Sequence, residues 1–265
     1  MAHVDIARMP AYHGGFQSFG MHQFAYAPYP AFPQSFSPAE TVFFLDWDDT
    51  LFPTSVFRER GLLHEKSLPE ELAPVLKGHA KKVEELLAAL QELGQVIIVT
   101  GSGGDWVAHT AKRFLGITTL PPSVSARTQY GHLGEDPLVW KEAAFRDALA
   151  SLGTPTGWKN VISIGDAEVE RQALCRVCAY QPTVIPKAMK LMDNPSLDTL
   201  TKQLTFLYDR LEPFMKHPGP LNTTLSPMDI AHVTPFHTRK GSPGSRSRGP
   251  RRRQRGRRSA GSMLP

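Results

Sequence analysis

Apolar residues follow two patterns that alternate along the chain. In three short runs nearly every position is aliphatic, aromatic, β-branched or small: Thr41 to Leu45 (TVFFL), Gln95 to Thr100 (QVIIVT) and Val161 to Gly165 (VISIG). Runs without polar alternation are typical of strands buried on both faces. We therefore predict three strands of a buried sheet at these positions.

The second pattern is helical. Before the second strand, Ala80, Val83, Leu87 and Leu90 recur at spacings of three and four, and Gly94 follows as a cap. A helix that leads directly into a wholly apolar strand is the arrangement of a βαβ unit. The sequence thus predicts an α/β fold, in which a central parallel sheet lies between two helical layers in a three-layer, Rossmann-like α/β/α arrangement.

Weaker patterns predict the remaining elements. They are a helix from about Asp105 to Leu115, a strand at Ser123 to Ala126, a helix through Trp140 to Leu152 and a last strand within Val184 to Met192. Asn194 and Pro195 predict the N-cap and first residue of a closing helix that ends near Lys216.

Composition divides the chain into three segments. Residues 1–40 are rich in aromatic residues, Pro, Gln and Gly and nearly uncharged, which predicts a disordered arm. Residues 41–216 carry the predicted elements and form the expected catalytic domain. Residues 217–265 are predicted to be a disordered tail that is Arg-rich from residue 239.

The net charge of +5 is distributed unevenly. Residues 239–265 hold ten basic side chains and no acid, which leaves 20 basic against 25 acidic residues in the first 238. The stretch from Arg239 to Arg258 therefore predicts contact with nucleic acid or with an importin, by charge alone.

Composition also bears on the cellular compartment of the protein. No run approaches the roughly 18 apolar residues of a membrane span. Only two cysteines occur, Cys175 and Cys178, and the N-terminus lacks the apolar core of a signal peptide. We expect no membrane contact, a reducing environment and a cytoplasmic or nuclear location.

Candidate chemistry begins where the first strand ends. Asp46 and Asp48 are two residues apart, so in extended backbone both side chains point to the same side at the carboxyl edge of the sheet. An EF-hand loop starting at Asp46 is excluded, because Leu51 and Phe57 occupy the positions of its Gly and Glu. Of two close carboxyl groups, one can act as an anionic nucleophile or metal ligand while the other holds a proton.

Polar residues also follow the later predicted elements. Thr100 and Gly101 end the second strand, Lys141 lies in the first turn of a helix, and Asp166 and Glu170 follow VISIG. A dinucleotide fingerprint after Thr100 is excluded, because its third glycine would fall on Trp106.

Two alternatives accompany this set. Lys159 competes with Lys141 as the site lysine, but it precedes Asp166 by seven residues and is expected near the opposite end of the strand. Cys175 and Cys178 have the C-x-x-C spacing of half a zinc site but no second pair, which favours small buried thiols.

Together these motifs resemble the haloacid dehalogenase-like (HAD-like) superfamily. Its phosphatases carry a DxDx(T/V) first motif, a Thr or Ser at the end of the second strand, a helix-borne Lys and an acidic fourth motif. Here these are DWDDT, VIIVT, WKEAAF and GDAEVE, and the resemblance covers roughly Thr41 to Phe214.

The resemblance implies phosphoryl transfer with Mg²⁺ as cofactor. Asp46 would be the nucleophile and Asp48 the general acid and base. Mg²⁺ would bind Asp46, the backbone carbonyl of Asp48 and Asp166, since a hard cation prefers oxygen ligands.

The remaining motif residues would support that reaction. Thr100, Gly101 and Lys141 would bind the transferring phosphoryl group. Thr50 and Glu170 would lie behind these residues, with Glu170 orienting water on the metal.

The expected function is therefore a Mg²⁺-dependent phosphatase of phosphomonoesters. Neither gap between the motifs is long enough for an inserted cap domain, so the expected substrates are phosphorylated proteins or other macromolecules. The alternative is a nucleic-acid-binding or scaffold protein that carries an inactive or weakly active HAD-like domain. A phosphotransferase or phosphomutase is a third option.

Overall fold

The computed structural model of the chain describes residues 36–154, 157–179, 181 and 183–234. Residues 1–35 of the predicted arm and the Arg-rich tail lie outside these residues, whereas Pro38–Glu40, at the end of the predicted arm, form a short 3₁₀ turn. The disorder of both segments and the tail's contact with nucleic acid or an importin therefore stay predictions.

The described residues form one sheet of six parallel strands in the order β3-β2-β1-β4-β5-β6. The strands are β1 (Thr41–Leu45), β2 (Gln95–Thr100), β3 (Ser123–Ser125), β4 (Asn160–Gly165), β5 (Ile185–Lys190) and β6 (Leu221–Thr224). This is the strand order of a doubly wound α/β fold. The predicted fold class, a parallel sheet with helices on its faces, is confirmed.

Seven α-helices connect the described strands. They are α1 (Thr54–Glu59), α2 (Leu72–Leu93), α3 (Trp106–Thr110), α4 (Ala126–Tyr130), α5 (Pro137–Leu152), α6 (Glu168–Cys178) and α7 (Leu197–Lys216). A π-helical turn, Ala111–Leu115, continues α3, so the predicted helix from about Asp105 to Leu115 is present. None of these helices is long and apolar enough to cross a membrane.

Strand β1 is buried on both faces, as its uninterrupted apolar run predicts. Phe43 and Leu45 point into a core formed with α2 and α7. Val42 and Phe44 point into a second core formed with α5 and α6, where Phe44 stacks on Phe145 with ring centroids 4.1 Å apart. The alternation of side chains along the strand thus places the sheet between two helical layers.

Gly94 ends α2, although not by adopting a left-handed conformation. Its φ is 173°, and a Cβ at this position would lie 2.6 Å from the carbonyl oxygen of Thr41. Glycine is required here because β1 approaches the turn between α2 and β2 closely.

The predicted cap of α7 is wrong by two residues. Ser196 is the N-cap, and its hydroxyl accepts a hydrogen bond from the amide of Thr199. Asn194 instead adopts a left-handed conformation with φ 44°, and its side-chain oxygen accepts a hydrogen bond from the Ser55 hydroxyl at 3.0 Å. Tertiary contact with the loop after β1 therefore replaces the local capping role.

The predicted domain boundary at residue 216 falls too early. Beyond the end of α7, β6 pairs in parallel with β5, and Leu225 and Ile230 are buried in the core shared with α2 and α7. The segment LNTT is short, mostly polar and at the edge of the sheet, so its sequence carries little strand signal. Strand β5 is consequently not the last strand.

His79 connects the two long helices to the loop after β1. It lies on α2 and is fully buried, with Nε2 2.9 Å from the carbonyl oxygen of Leu51 and Nδ1 3.0 Å from the Thr201 hydroxyl on α7. A carbonyl can only accept, so Nε2 carries the proton in the neutral ring, and Nδ1 shares the Thr201 hydroxyl with the carbonyl of Leu197, which accepts from that hydroxyl at 2.7 Å. Burial lowers the pKa of His79 to about 4, against the opposing effect of the Leu51 carbonyl.

Replacing His79 with Gln should alter how stability depends on pH. The unfolded chain binds a proton near pH 6.5 that the folded chain accepts only near pH 4, so this group destabilises the fold as pH falls through that window. The difference in free energy of unfolding between wild type and His79→Gln should shrink by about 1.4 kcal/mol for each unit by which the pH falls within this window. Urea unfolding at pH 7, 6, 5 and 4.5 measures it, and a difference independent of pH would contradict the assignment.

Candidate active site

The site lies where the strand order reverses. Strands β1 and β4 are neighbours at the centre of the sheet, and the chain runs outward from them in opposite directions. Asp46 directly follows β1 and donates its amide to the carbonyl of Ile164 at 2.9 Å, and Asp166 directly follows β4. In open α/β sheets ligands bind in the crevice at this switch point, beyond the carboxyl ends of the strands.

A buried lysine joins the two sides of this crevice. Lys141 comes from α5 and is only 3% exposed. Its Nζ lies 2.5 Å from Oδ1 of Asp46 and also donates to Oε1 of Glu170. Burial lowers the pKa of Lys141, but the two carboxylates outweigh it and hold that pKa above its ordinary value. The structure thus brings together three residues that lie far apart in sequence.

The crevice contains more carboxyl groups than cations. Burial raises the pKa of Asp46 well above its usual range, against Lys141 and together with the charges of Glu170, Asp48 and Asp166. Burial, followed by Glu170 and Asp49, raises the pKa of Asp166 to about 7. Among the described residues Lys141 is the only cation within ion-pair distance of these five carboxyl groups, and the Lys190 ammonium group donates to the backbone carbonyl of Asp166 at 2.8 Å. The excess negative charge has the sign that a divalent cation would offset.

The expected Mg²⁺ ligands can be compared with this arrangement. Among the described residues no group of three His, Cys, Asp or Glu side chains could hold a metal ion. The predicted Mg²⁺ ligands are not three such side chains. They combine the carboxylates of Asp46 and Asp166 with the backbone carbonyl of Asp48. Oxygen donors in a region rich in negative charge match the chemistry of Mg²⁺, so the residues present fit the ion.

The Asp48 carboxylate is held on the β2 side of β1, where it accepts four hydrogen bonds. Its Oδ2 accepts from the hydroxyls of Thr100 at 2.7 Å and Ser102 at 2.9 Å. Its Oδ1 accepts from the Thr54 hydroxyl at 2.6 Å and from Nε1 of Trp106 at 2.7 Å. Thr100, expected to bind a phosphoryl group, therefore binds Asp48 in this structure.

Three of these donors were not found from the sequence. Thr54, Ser102 and Trp106 lie in turns or at helix starts, where hydroxyl and indole groups are common and carry no periodic signal. Their one recognisable feature is that each closely follows a strand or turn that carries a predicted site residue.

The loop after β1 is fixed by an aromatic cluster and an unusual backbone conformation. Trp47, Phe52 and Phe57 are buried, and Phe52 stacks on Phe114 with centroids 5.7 Å apart. Asp49 adopts φ 51°, and its carboxylate accepts the amide and hydroxyl of Ser55. The tight turn thereby holds Asp46 and Asp48 in fixed relation to each other.

Two predicted residues of the site make no polar contact through their side chains. Thr50 is fully buried, and its hydroxyl has no hydrogen-bond partner among the described residues. Buried hydroxyls are nearly always paired, so this one is open to a group that is not part of the chain. Gly101 follows β2 with open space around its Cα.

Lys159, the alternative to Lys141, and the two cysteines lie away from this crevice. Lys159 precedes β4 at the amino end of the sheet, where its amide donates to the carbonyl of Glu40 at 3.0 Å. Cys178 is buried on α6, and Cys175 is exposed.

The fold and site define an α/β protein of Rossmann-like topology with a lysine–carboxylate cluster at the switch point. No family model, curated protein or solved structure matches the chain.

Gly165 should tolerate no side chain. A Cβ at this position would lie 2.6 Å from Cγ of Glu170, so Gly165→Ala must displace the carboxylate that binds Lys141. We expect a stability loss of about 1–3 kcal/mol, the usual cost of overpacking. Gly131→Ala is the matched control, because a Cβ there meets nothing within 4 Å. Equal unfolding free energies for the two variants would contradict the close approach.

Lys141 should be essential for stability because it compensates buried charge. Removing one partner of a buried ion pair typically costs about 3–5 kcal/mol. Lys141→Met should show a loss of this size in urea unfolding, and Lys141→Met/Glu170→Gln should recover part of it by removing one unpaired carboxylate. A single variant as stable as wild type would show that Lys141 does not compensate these carboxylates.

Proposed function

We propose that this chain is a Mg²⁺-dependent phosphatase of the HAD-like superfamily. It would hydrolyse phosphomonoesters of proteins or other macromolecules through an aspartyl-phosphate on Asp46. The observation that carries the proposal is the contact of buried Lys141 with Asp46 and Glu170 at the switch point, with Asp48 two residues from Asp46.

The two oxygens of Asp46 have different environments. Oδ1 is bound to Lys141, whereas Oδ2 has no hydrogen bond within the described part of the chain. We assign Oδ2 as the atom that attacks phosphorus, with Lys141 fixing the carboxylate and offsetting charge on the phosphoryl oxygens. In this step the bond from Asp46 to phosphorus forms and the bond to the leaving oxygen breaks.

Asp48 would supply the proton that the leaving oxygen needs; its carboxylate accepts all four of its hydrogen bonds in this structure, so it must first take up a proton from solvent. To reach that oxygen it must exchange one of its four hydrogen bonds for a bond to the substrate. In the second step Asp48 takes a proton from water, and this water attacks phosphorus. The products are inorganic phosphate and the free carboxylate of Asp46.

Mg²⁺ would be held by Asp46, Asp166 and the carbonyl of Asp48, and when bound it supplies positive charge for the phosphoryl oxygens. Glu170 acts indirectly: it accepts hydrogen bonds from Lys141 and from the amide of Ala167, so it positions the lysine.

The open surroundings of the site support a macromolecular substrate. Between β1 and β2 the chain forms only α1, a short helical turn and α2, and between Gly101 and Lys141 it forms α3 with its π-helical turn, β3, α4, a further short turn and the start of α5. The described residues therefore add no cap domain over the crevice.

Activity assays on Asp46 and Asp48 variants test the proposal. Purified protein should release phosphate from p-nitrophenyl phosphate and phosphopeptides with Mg²⁺ and lose this activity with EDTA. Asp46→Asn should be inactive, because the attacking anion is absent. Asp48→Asn should be slower by about 10²–10⁴, the usual contribution of general acid–base catalysis. The exposed control Asp209→Asn should match wild type.

The covalent intermediate separates this mechanism from direct hydrolysis. Mass spectrometry after rapid quenching should find a phosphoryl group on Asp46. Phosphate release without such an adduct would show that water attacks phosphorus directly. Absence of release across the substrate panel would reject the phosphatase proposal.

A further inference from the structure

The position of Asp48 fixes the side on which a leaving group must lie, if the proposed phosphatase function holds. A general acid must come within hydrogen-bond distance of the leaving oxygen. The carboxylate of Asp48 is directed toward the end of β2 and the start of α3, where Thr100, Ser102 and Trp106 bind it. The alcohol part of the substrate therefore lies on the β2 side of the crevice.

A cavity of about 270 Å³ opens on that side. It begins at Thr100 and runs over the carboxyl ends of β2 and β3 between α3 and α4. Its walls are formed by Thr100, Gly104, Asp105, Val107, Ala108, Ser123, Ser125, Thr128 and Gln129. Since Thr100 both lines the cavity and binds Asp48, the cavity adjoins the proposed acid directly.

The size of the cavity favours one class of occupant. Pockets for small molecules usually measure about 300–1,000 Å³ and enclose most of the ligand. This cavity lies below that range and is lined mostly by exposed residues, such as Gly104, Asp105 and Gln129. It can receive one side chain of an extended segment, and its exposed walls would leave a free metabolite in contact with solvent.

The lining is half polar and half apolar and carries a single charge. The Asp105 carboxylate makes no hydrogen bond or ion pair with any described residue. By contrast, the Thr128 hydroxyl is engaged by the amide of Gly104 at 2.9 Å and by Ser125. The wall residues include no Lys or Arg; Lys112 lines a neighbouring cavity of about 370 Å³ that Thr100 does not reach. The site therefore offers one unpaired negative charge to its occupant.

We propose that this cavity binds a basic side chain next to the phosphorylated residue of a protein substrate, with Asp105 as the specificity-determining residue. A lysine or arginine there would pair with Asp105. A glutamate, or a second phosphate group, would be repelled by Asp105.

The expected preference is modest, because Asp105 is exposed. Exposed ion pairs contribute about 0.2–1 kcal/mol, so a basic neighbour should raise kcat/KM by a factor of about 1.4 to 5 over a neutral one. Salt weakens such pairs, since the Debye length falls from about 30 Å at 0.01 M to about 8 Å at 0.15 M. The preference should therefore be larger at low ionic strength.

The test compares phosphoserine peptides that differ at one flanking position, with Arg, Gln or Glu. For wild type, kcat/KM should follow the order Arg, Gln, Glu, and the ratio of the Arg to the Glu peptide should fall as NaCl is added. In Asp105→Asn this ratio should approach one. A ratio within one preparation does not depend on the fraction of folded enzyme, so general damage cannot mimic the effect.

Glu92→Gln is the matched control. Glu92 is an exposed acid on α2, near the amino end of β2 and thus at the opposite edge of the sheet. It should keep the wild-type ratio, which separates a local effect of Asp105 from a change in net charge. A ratio that persists in Asp105→Asn, or equal rates for the three peptides with wild type, would overturn the assignment.

A binding measurement separates this inference from the phosphatase proposal. Fluorescence anisotropy of the same labelled peptides with Asp46→Asn measures recognition without turnover. If Asp46→Asn binds the Arg peptide preferentially and Asp46→Asn/Asp105→Asn does not, the cavity assignment is supported. This holds even if wild type releases no phosphate. If wild type releases phosphate but neither wild type in turnover nor Asp46→Asn in binding prefers the Arg peptide, the cavity assignment is rejected. The phosphatase proposal then remains intact.

Discussion

The burial of the Lys141 ammonium group is the constraint on which the rest of the site depends. An unpaired charge in a protein interior is too costly to persist, so this lysine requires carboxylates at close range. Asp46 and Glu170 supply them from the end of β1 and the first turn of α6. The ion cluster therefore ties α5, the central strand and α6 together at one point, and the geometry of the crevice is inseparable from the packing of the fold.

The same contact explains local features that would otherwise look unrelated. Glu170 can reach Lys141 only because residue 165 lacks a side chain. Asp46 is held through the turn that follows it, where the aromatic cluster and the left-handed Asp49 fix the backbone. His79 holds the Leu51 carbonyl in that turn from the opposite helical layer. Both helical layers thus contribute to the position of a single carboxylate.

Sequence patterns could predict the central strands and the charged residues of the site, because both have strong signals. Uninterrupted apolar runs locate β1, β2 and β4, and acids that directly follow such runs must lie at one sheet edge. The edge strand β6 and the Ser196 cap carry weak local signals that tertiary contacts override. Trp106 and Ser102 reach Asp48 only through the folded turn after β2, and nothing in their spacing reveals that contact.

The four hydrogen bonds to Asp48 set a requirement for any chemistry at this site. Thr100 has one hydroxyl proton, which it gives to Asp48, so it cannot at the same time donate to a phosphoryl oxygen. Binding of a phosphoryl group by Thr100 would therefore remove one of the four hydrogen bonds to Asp48, while those from Thr54, Ser102 and Trp106 could remain. Each new bond replaces an existing one, so the exchange leaves no donor unpaired. This exchange would let the substrate itself loosen the hold of the chain on the proposed acid.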